Sequence, residues 1–209
     1  MKESGIRGIF FDLGNVLVGI DSIKFAEQMR SMTGLEPGEL LSAFTGGLVL
    51  DYECGRMDEN EFLAGLCERT GVAITREGFT NAWTSMFLEA PLLPDKLLQG
   101  LARRYTLWAI SNTNRMHFEF IRERYPILMH FHGWSLSYEV GAAKPDPAIF
   151  AHALERTRIS AAEALFIDDQ RVNVEAARNL GIDAVQFLNS AQLVGELRAR
   201  NLIDHSETP

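Results

Sequence analysis

Positive charge is in short supply in this 209-residue chain. Twenty lysines and arginines face 28 acids, for a formal charge of −8, and only Lys2, Lys24, Lys96 and Lys144 are lysines. Such a protein has no general attraction for phosphate backbones, so nucleic acid is not an expected partner, and any phosphorylated ligand needs a local positive site. Cysteine is equally sparse. Cys54 and Cys67 have neither the density of a disulfide framework nor the CxxC spacing of a zinc or redox centre, and read as buried thiols of a reducing cytoplasm. No uncharged apolar run reaches the length of a membrane span, so no membrane partner is expected. The apolar N-terminal stretch is broken by Asp12 and lacks a small-residue cleavage site, which predicts a buried strand, not a signal peptide, and a cytoplasmic location. The GxxxxGK, GxGxxG, HExxH and GxSxG fingerprints are all missing.

What is present is a β/α alternation with one interruption. Residues 6–11 form an apolar run, the pattern of a strand buried on both faces, and it ends in Asp-Leu-Gly-Asn. From about residue 20 to 94 the periodicity becomes helical, with helices expected at 22–33, 37–43, 58–70 and 75–89 and no strand. Asp58 with Glu61 is a helix-start signal, and Phe62, Leu63, Leu66 and Cys67 make the apolar face. After Pro94, helices at 95–104, 115–123, from 147 and at 172–180 alternate with strands at 106–111, 133–137, 164–167 and 184–187. That order predicts a mostly parallel sheet. The expected organisation is an α/β core at 1–19 and 94–209 with an all-α insertion at 20–93 acting as a lid, and a polar, mobile tail after about Ile203.

In open parallel sheets ligands bind beyond the carboxyl ends of the strands. Asp12 follows the first strand, Ser111 and Asn112 the second, Lys144 the third, and Asp168, Asp169 and Asn173 the fourth. Each has an ordinary reading when taken alone. Asp12 can be a turn residue, Thr113 or Asn114 a helix cap, Lys144 a solvated lysine, and adjacent acids face water as a rule. Together at strand ends they offer a carboxylate nucleophile, an oxygen site for a hard metal, and donors that neutralise phosphate.

The stretches FFDLGNVLV, AISNTN, GAAKPDPAIF and LFIDDQRVNVEAARNLGI, in that order, resemble the four motifs of the haloacid dehalogenase (HAD) superfamily. Within it the chain is similar to bacterial sugar-phosphate phosphatases, such as α-D-glucose-1-phosphate phosphatase, and to the N-terminal phosphatase domain of soluble epoxide hydrolase. The resemblance runs from residue 6 to about 188 and implies a Rossmann-like core with a helical cap. It implies hydrolysis of a small phosphorylated metabolite with magnesium as cofactor. Asp12 would be the nucleophile that becomes an aspartyl-phosphate, with Ser111 and the Asn112 backbone on the phosphate oxygens. Lys144 would neutralise nucleophile and phosphate together. Asp12, the Gly14 carbonyl, Asp169 and Asp168 would hold the metal, with Asn173 supporting them from behind.

Gly14 departs from the family pattern, which places a second Asp there to protonate the leaving oxygen and activate water. Such a group contributes about 10²–10⁴ in rate. A cap acid (Asp51, Glu53 or Asp58) or a water can replace it; the substrate can carry a leaving group that needs little protonation; or the chain binds phosphate compounds with little turnover. Dehalogenation is less favoured, because its pattern has an aromatic residue at position 14 and lacks the Asp168-Asp169 pair. A phosphomutase would need the missing Asp even more. Trp83, Met86 and Phe87 read as core before pocket lining. Tyr52, Glu53 and Arg56 read equally as a surface loop or as groups closing over the site. His117, His130 and His132 share no metal-ligand spacing. The sequence carries no mark of the oligomeric state.

Overall fold

The computed structural model describes residues 5–204, so most of the tail expected to be mobile lies outside the described residues. Its centre is a five-stranded, all-parallel sheet in the order β5-β4-β1-β6-β7. The strands are β1 (Gly8–Phe11), β4 (Thr106–Ser111), β5 (Gly133–Leu136), β6 (Ala164–Asp168) and β7 (Asp183–Gln186). Side chains alternate between the two faces of a strand, and here both faces are apolar. Ile9, Phe11, Leu107, Ala109 and Ile167 enter one core, while Phe10, Trp108, Ile110 and Phe166 enter the other. The second core is closed by α9 (Pro147–Thr157) and α10 (Arg171–Asn179), through Ile149, Phe150, Val174 and Ala177. That is why the strands read as continuous apolar runs.

After β1 the chain leaves the sheet and, before residue 94, builds five helices: α1 (Ser22–Thr33), α2 (Pro37–Ala43), α3 (Leu48–Glu53), α4 (Glu59–Thr70) and α5 (Arg76–Thr84). Their ends carry the expected chemistry. The Asp58 carboxylate accepts from Glu61 N while the Glu61 carboxylate accepts from Asp58 N, a reciprocal cap on α4. Gly34 and Gly71 end α1 and α4 in the left-handed conformation. The interior is aromatic: Phe62 lies flat on Trp83 at 5.2 Å and on Tyr52 at 4.6 Å. Trp83, Met86 and Phe87 are buried, as core residues should be.

Three expectations are corrected. The 20–94 block does contain strand: β2 (Val18–Ile20) pairs antiparallel with β3 (Phe87–Pro91) at the two ends of the helical block. Residues 75–89 are therefore not one helix; α5 stops at Thr84 and β3 follows. The approach to Pro91 disfavours helix, and the chain crosses back at Asp21 N to Met86 O (2.7 Å) and Leu92 N to Leu17 O (2.9 Å). A pairing that spans about seventy residues leaves no local periodicity to read. The stretch around Tyr52 and Glu53 is helical (α3), not a loop. The core also includes α6 (Asp95–Ala102), α7 (Arg115–Arg124), the short α8 (Ser137–Val140) and an unanticipated α11 (Ser190–Ala199). No helix among the described residues is long and apolar enough to cross a membrane.

Candidate active site

The sheet delivers Asp12, Ser111 and Asp168 to the carboxyl ends of three adjacent strands, β1, β4 and β6. Lys144 arrives from the loop before α9, and its Nζ lies 2.8 Å from Asp12 Oδ1 and 2.7 Å from Asp168 Oδ2. All three side chains are buried. Two carboxylates out of water need a compensating cation, and Lys144 supplies it. Burial alone would lower the pKa of Lys144, but the two carboxylates outweigh it and the net shift is upward, so the lysine stays charged. Burial pushes the Asp12 carboxyl up to about 7, with Lys144 pulling it down and Asp168 adding to the rise.

The two oxygens of Asp12 are not equivalent. Oδ1 accepts from Leu13 N (2.7 Å) and Lys144, which leaves Oδ2 without a protein partner among the described residues. Asp168 has no such freedom. It accepts from Lys144, from Gln170 N (2.8 Å) and twice from Asn173 Nδ2 (3.1 Å each), so it anchors the lysine. Asp169 is the more open member of the pair. Its carboxyl is raised by burial and by Asp168, with Lys144 and Asn15 pulling it down. Oxygens of Asp12, Asp168 and Asp169 all come within 4.8 Å of one another, the one grouping of three or more candidate ligands among the described residues. Clustered carboxylates, two of them (Asp12 and Asp169) lining one small cavity with Gly14, fit a hard divalent cation such as magnesium.

Asn112 plays a part the sequence did not indicate. Its side chain is committed to the Lys144 backbone, accepting from Lys144 N (2.6 Å) and donating to Lys144 O (2.8 Å). It clamps the lysine loop, which carries a cis Lys144-Pro145 bond, and it also lines the cavity. Ser111, at the end of β4, is buried and is not among the residues that line the cavity. Thr113 and Asn114 turn the chain into α7, with the Asn114 side chain accepting from His117 N.

Asn15, Ile20 and Gln170 also line the cavity and were not anticipated. Asn15 is left-handed at φ 55, which Asn tolerates better than most residues, and its Oδ1 accepts from Ile20 N (3.1 Å). That bond holds Ile20 over Gly14: a Cβ built on Gly14 would stand 2.8 Å from Ile20 Cδ1. The place of the missing carboxylate is thus taken by an aliphatic side chain. None of Asp51, Glu53 and Asp58 lines this cavity. Asp51 is paired with Arg56 (2.7 Å) and Asp58 caps α4. Glu53 has neither tie, and burial pushes its carboxyl up to about 7. The three histidines considered have other partners than Asp12, Asp168 and Asp169: His117 is wedged between Trp83 and Phe87, His130 pairs with Asp95, and His132 Nδ1 accepts from Leu107 N.

Known proteins resemble this chain in sequence and fold. A D-ribitol-5-phosphate phosphatase from Bacteroides thetaiotaomicron is 29% identical over 199 residues, covering 92% of this chain and 97% of that protein. A HAD family enzyme from the same organism, crystallised as wild type with magnesium and inorganic phosphate, superposes with a TM-score of 0.80 at 29% identity, over 88% of this chain and 95% of that one. A HAD-like hydrolase structure from Porphyromonas gingivalis gives 0.80 at 27% identity, over 96% and 99%. The model of the haloacid dehalogenase-like hydrolases matches residues 6–181, and the chain belongs to that family.

Proposed function

We propose that this protein is a magnesium-dependent phosphatase acting on a small phosphorylated metabolite through an aspartyl-phosphate on Asp12. The observation that carries the reading is the buried Asp12–Lys144–Asp168 chain, which fixes Oδ1 of the nucleophile and leaves Oδ2 without a protein partner among the described residues. Oδ2 attacks phosphorus, the bond from phosphorus to the ester oxygen breaks, and the released oxygen takes a proton. Water then attacks the same phosphorus, returning the Asp12 carboxylate and inorganic phosphate. Lys144 neutralises charge on nucleophile and phosphoryl oxygens, and its clamp by Asn112 keeps it from following the phosphate out. Ser111 and the Asn112 main chain are assigned to the phosphate oxygens. Asp12, the Gly14 carbonyl and Asp169 are assigned to magnesium, which when bound offsets charge on the transferring phosphoryl group. Asp168, braced by Asn173, serves chiefly to hold Lys144.

The insertion at 20–93 is assigned as the cap over a core of 1–19 and 94–209. Support for a phosphate ester as substrate comes from relatives named for phosphatase activity, one of them on a sugar-alcohol phosphate. With Ile20 beside Gly14, no carboxylate stands where the leaving oxygen is usually protonated. The reading therefore favours substrates whose leaving group needs little help, or a proton delivered by water. Turnover of p-nitrophenyl phosphate with magnesium, abolished in Asp12→Asn, tests it; no hydrolysis across a broad phosphate-ester panel would end it.

A further inference from the structure

Asp168 and Asp169 are neighbours in sequence, yet they are held in different ways. The bonds from Lys144, Gln170 N and Asn173 all go to the Asp168 carboxylate. Asp169 is held through its main chain. Its carbonyl oxygen accepts from Gln186 Nε2 at 2.9 Å, and the next N–H, that of Gln170, donates to Asp168 Oδ1 at 2.8 Å. That oxygen and that N–H belong to one planar peptide unit, which is therefore gripped on both sides. Turning the unit would break both bonds at once. The peptide before Asp169 is tied as well, since Asp168 O accepts from Phe187 N at 2.9 Å. With both flanking peptides fixed, the direction in which the Asp169 side chain leaves the backbone is fixed too.

Gln186 reaches that carbonyl because of its place in the sheet. It is the last residue of β7 and stands opposite Asp168 in register. Ala184, two residues before it, enters the same core as Phe166, two residues before Asp168, so by alternation Gln186 and Asp168 share a face. Val185 and Phe187 on either side are buried and hold the strand end in place. The main chain of Gln186 is gripped in turn by α11: Gln192 Nε2 donates to Gln186 O at 3.1 Å, and Gln192 Oε1 accepts from Leu188 N at 3.2 Å. One run of bonds thus leads from α11 through the end of β7 to the Asp169 peptide. The ladder between β6 and β7 uses main-chain groups, so the strands pair without the Gln186 amide; the Asp169 carbonyl is what uses it. Gln186 does not line the cavity and acts on it only through Asp169. Magnesium demands near-ideal octahedral placement of its ligands, whereas calcium accepts looser geometry.

We propose that Gln186 is a positioning residue for the metal site, holding the Asp169 peptide so that the Asp169 carboxylate faces a cation shared with Asp12. This rests on the assignment of Asp169 to magnesium above. The test reads the affinity of the full chain for magnesium and for calcium, without substrate, from the rise in melting temperature with each chloride salt. Gln186→Met, similar in length but with no donor, should weaken magnesium at least about tenfold, the usual effect of losing a group that orients a ligand, and calcium by less. Gln186→Asn, one methylene short of the carbonyl, should do the same. Gln192→Ala loosens the same corner without removing the bond to Asp169, and should leave magnesium affinity within about threefold of wild type. Metal-free Gln186→Met should melt no more than about 4 °C below wild type, the size of one hydrogen bond. Magnesium affinity unchanged in both Gln186 variants, weakened as much by Gln192→Ala, or lost no more than that for calcium would overturn the role of Gln186 alone. A wild type whose melting magnesium does not move, or Asp169→Asn that binds magnesium as wild type does, would remove the metal assignment and this inference with it.

Discussion

Gly14→Asp restores the carboxylate that the family pattern calls for, and the structure says how well it can be accommodated. Gly14 is not among the glycines with positive φ, so the backbone accepts a side chain. The obstacle is Ile20, whose Cδ1 would lie 2.8 Å from the new Cβ. That atom is the far end of a partly exposed side chain (38%) and can be displaced at the cost of an off-rotamer shift, about 1 kcal/mol. Acid–base assistance contributes about 10²–10⁴ in rate, or roughly 3–5 kcal/mol of barrier. The gain exceeds the cost. Gly14→Asp is therefore expected to raise kcat at least about tenfold on an alkyl phosphate, whose leaving group needs a proton. The gain on p-nitrophenyl phosphate should be much smaller. Gly14→Asp with Ile20→Ala should exceed the single variant, because the overlap is gone. Equal gains on both esters, or no gain in a folded double variant, would show that protonation of the leaving oxygen is not the deficiency.

Three further outcomes follow from the same contacts. Lys144→Met leaves Asp12 and Asp168 buried without their cation, so unfolding stability without added metal should fall by about 3–5 kcal/mol in a denaturant titration. A loss below about 1 kcal/mol would mean that the carboxylates are not buried as a pair. His117 has its pKa lowered to about 3, first by burial. Its neutral form is favoured in the folded state, so its contribution is complete above the unfolded value of about 6.5 and is lost as pH falls. Between pH 8 and pH 5 the loss is about 2 kcal/mol, and His117→Leu should shrink the acid-side decline by that amount; an unchanged pH profile would place the ring in water. Gly55 is left-handed at φ 65, and a Cβ there would meet the Tyr138 carbonyl oxygen at 2.3 Å. Gly55→Ala should lower Tm by about 4 °C and raise KM by pushing the insertion off the core; wild-type values of both would contradict that contact.

The strand ends were legible because a parallel sheet with two apolar faces writes each buried strand as a continuous hydrophobic run. The polar residues closing those runs then stand out. Asp12, Lys144 and Asp168 meet as that logic required. The parts that stayed hidden depend on contacts far apart in sequence. Nothing near residue 89 reveals that β3 pairs with β2, so the helical pattern of α5 reads on too far. The difference in surroundings between Asp168 and Asp169 depends on Asn173 and Gln170 enclosing the first acid. Ile20 filling the space at Gly14 follows from the turn at Asn15, whose sequence signal was an Asn after a Gly.

The central claim is covalent: phosphate passes through Asp12. Acid quench of the full chain during turnover of a phosphate ester with magnesium, followed by peptide mass spectrometry, reads it directly. The account predicts a phosphoryl adduct on the peptide containing Asp12, absent in Asp12→Asn together with turnover. Turnover that persists in Asp12→Asn, or an adduct on another residue, would contradict it.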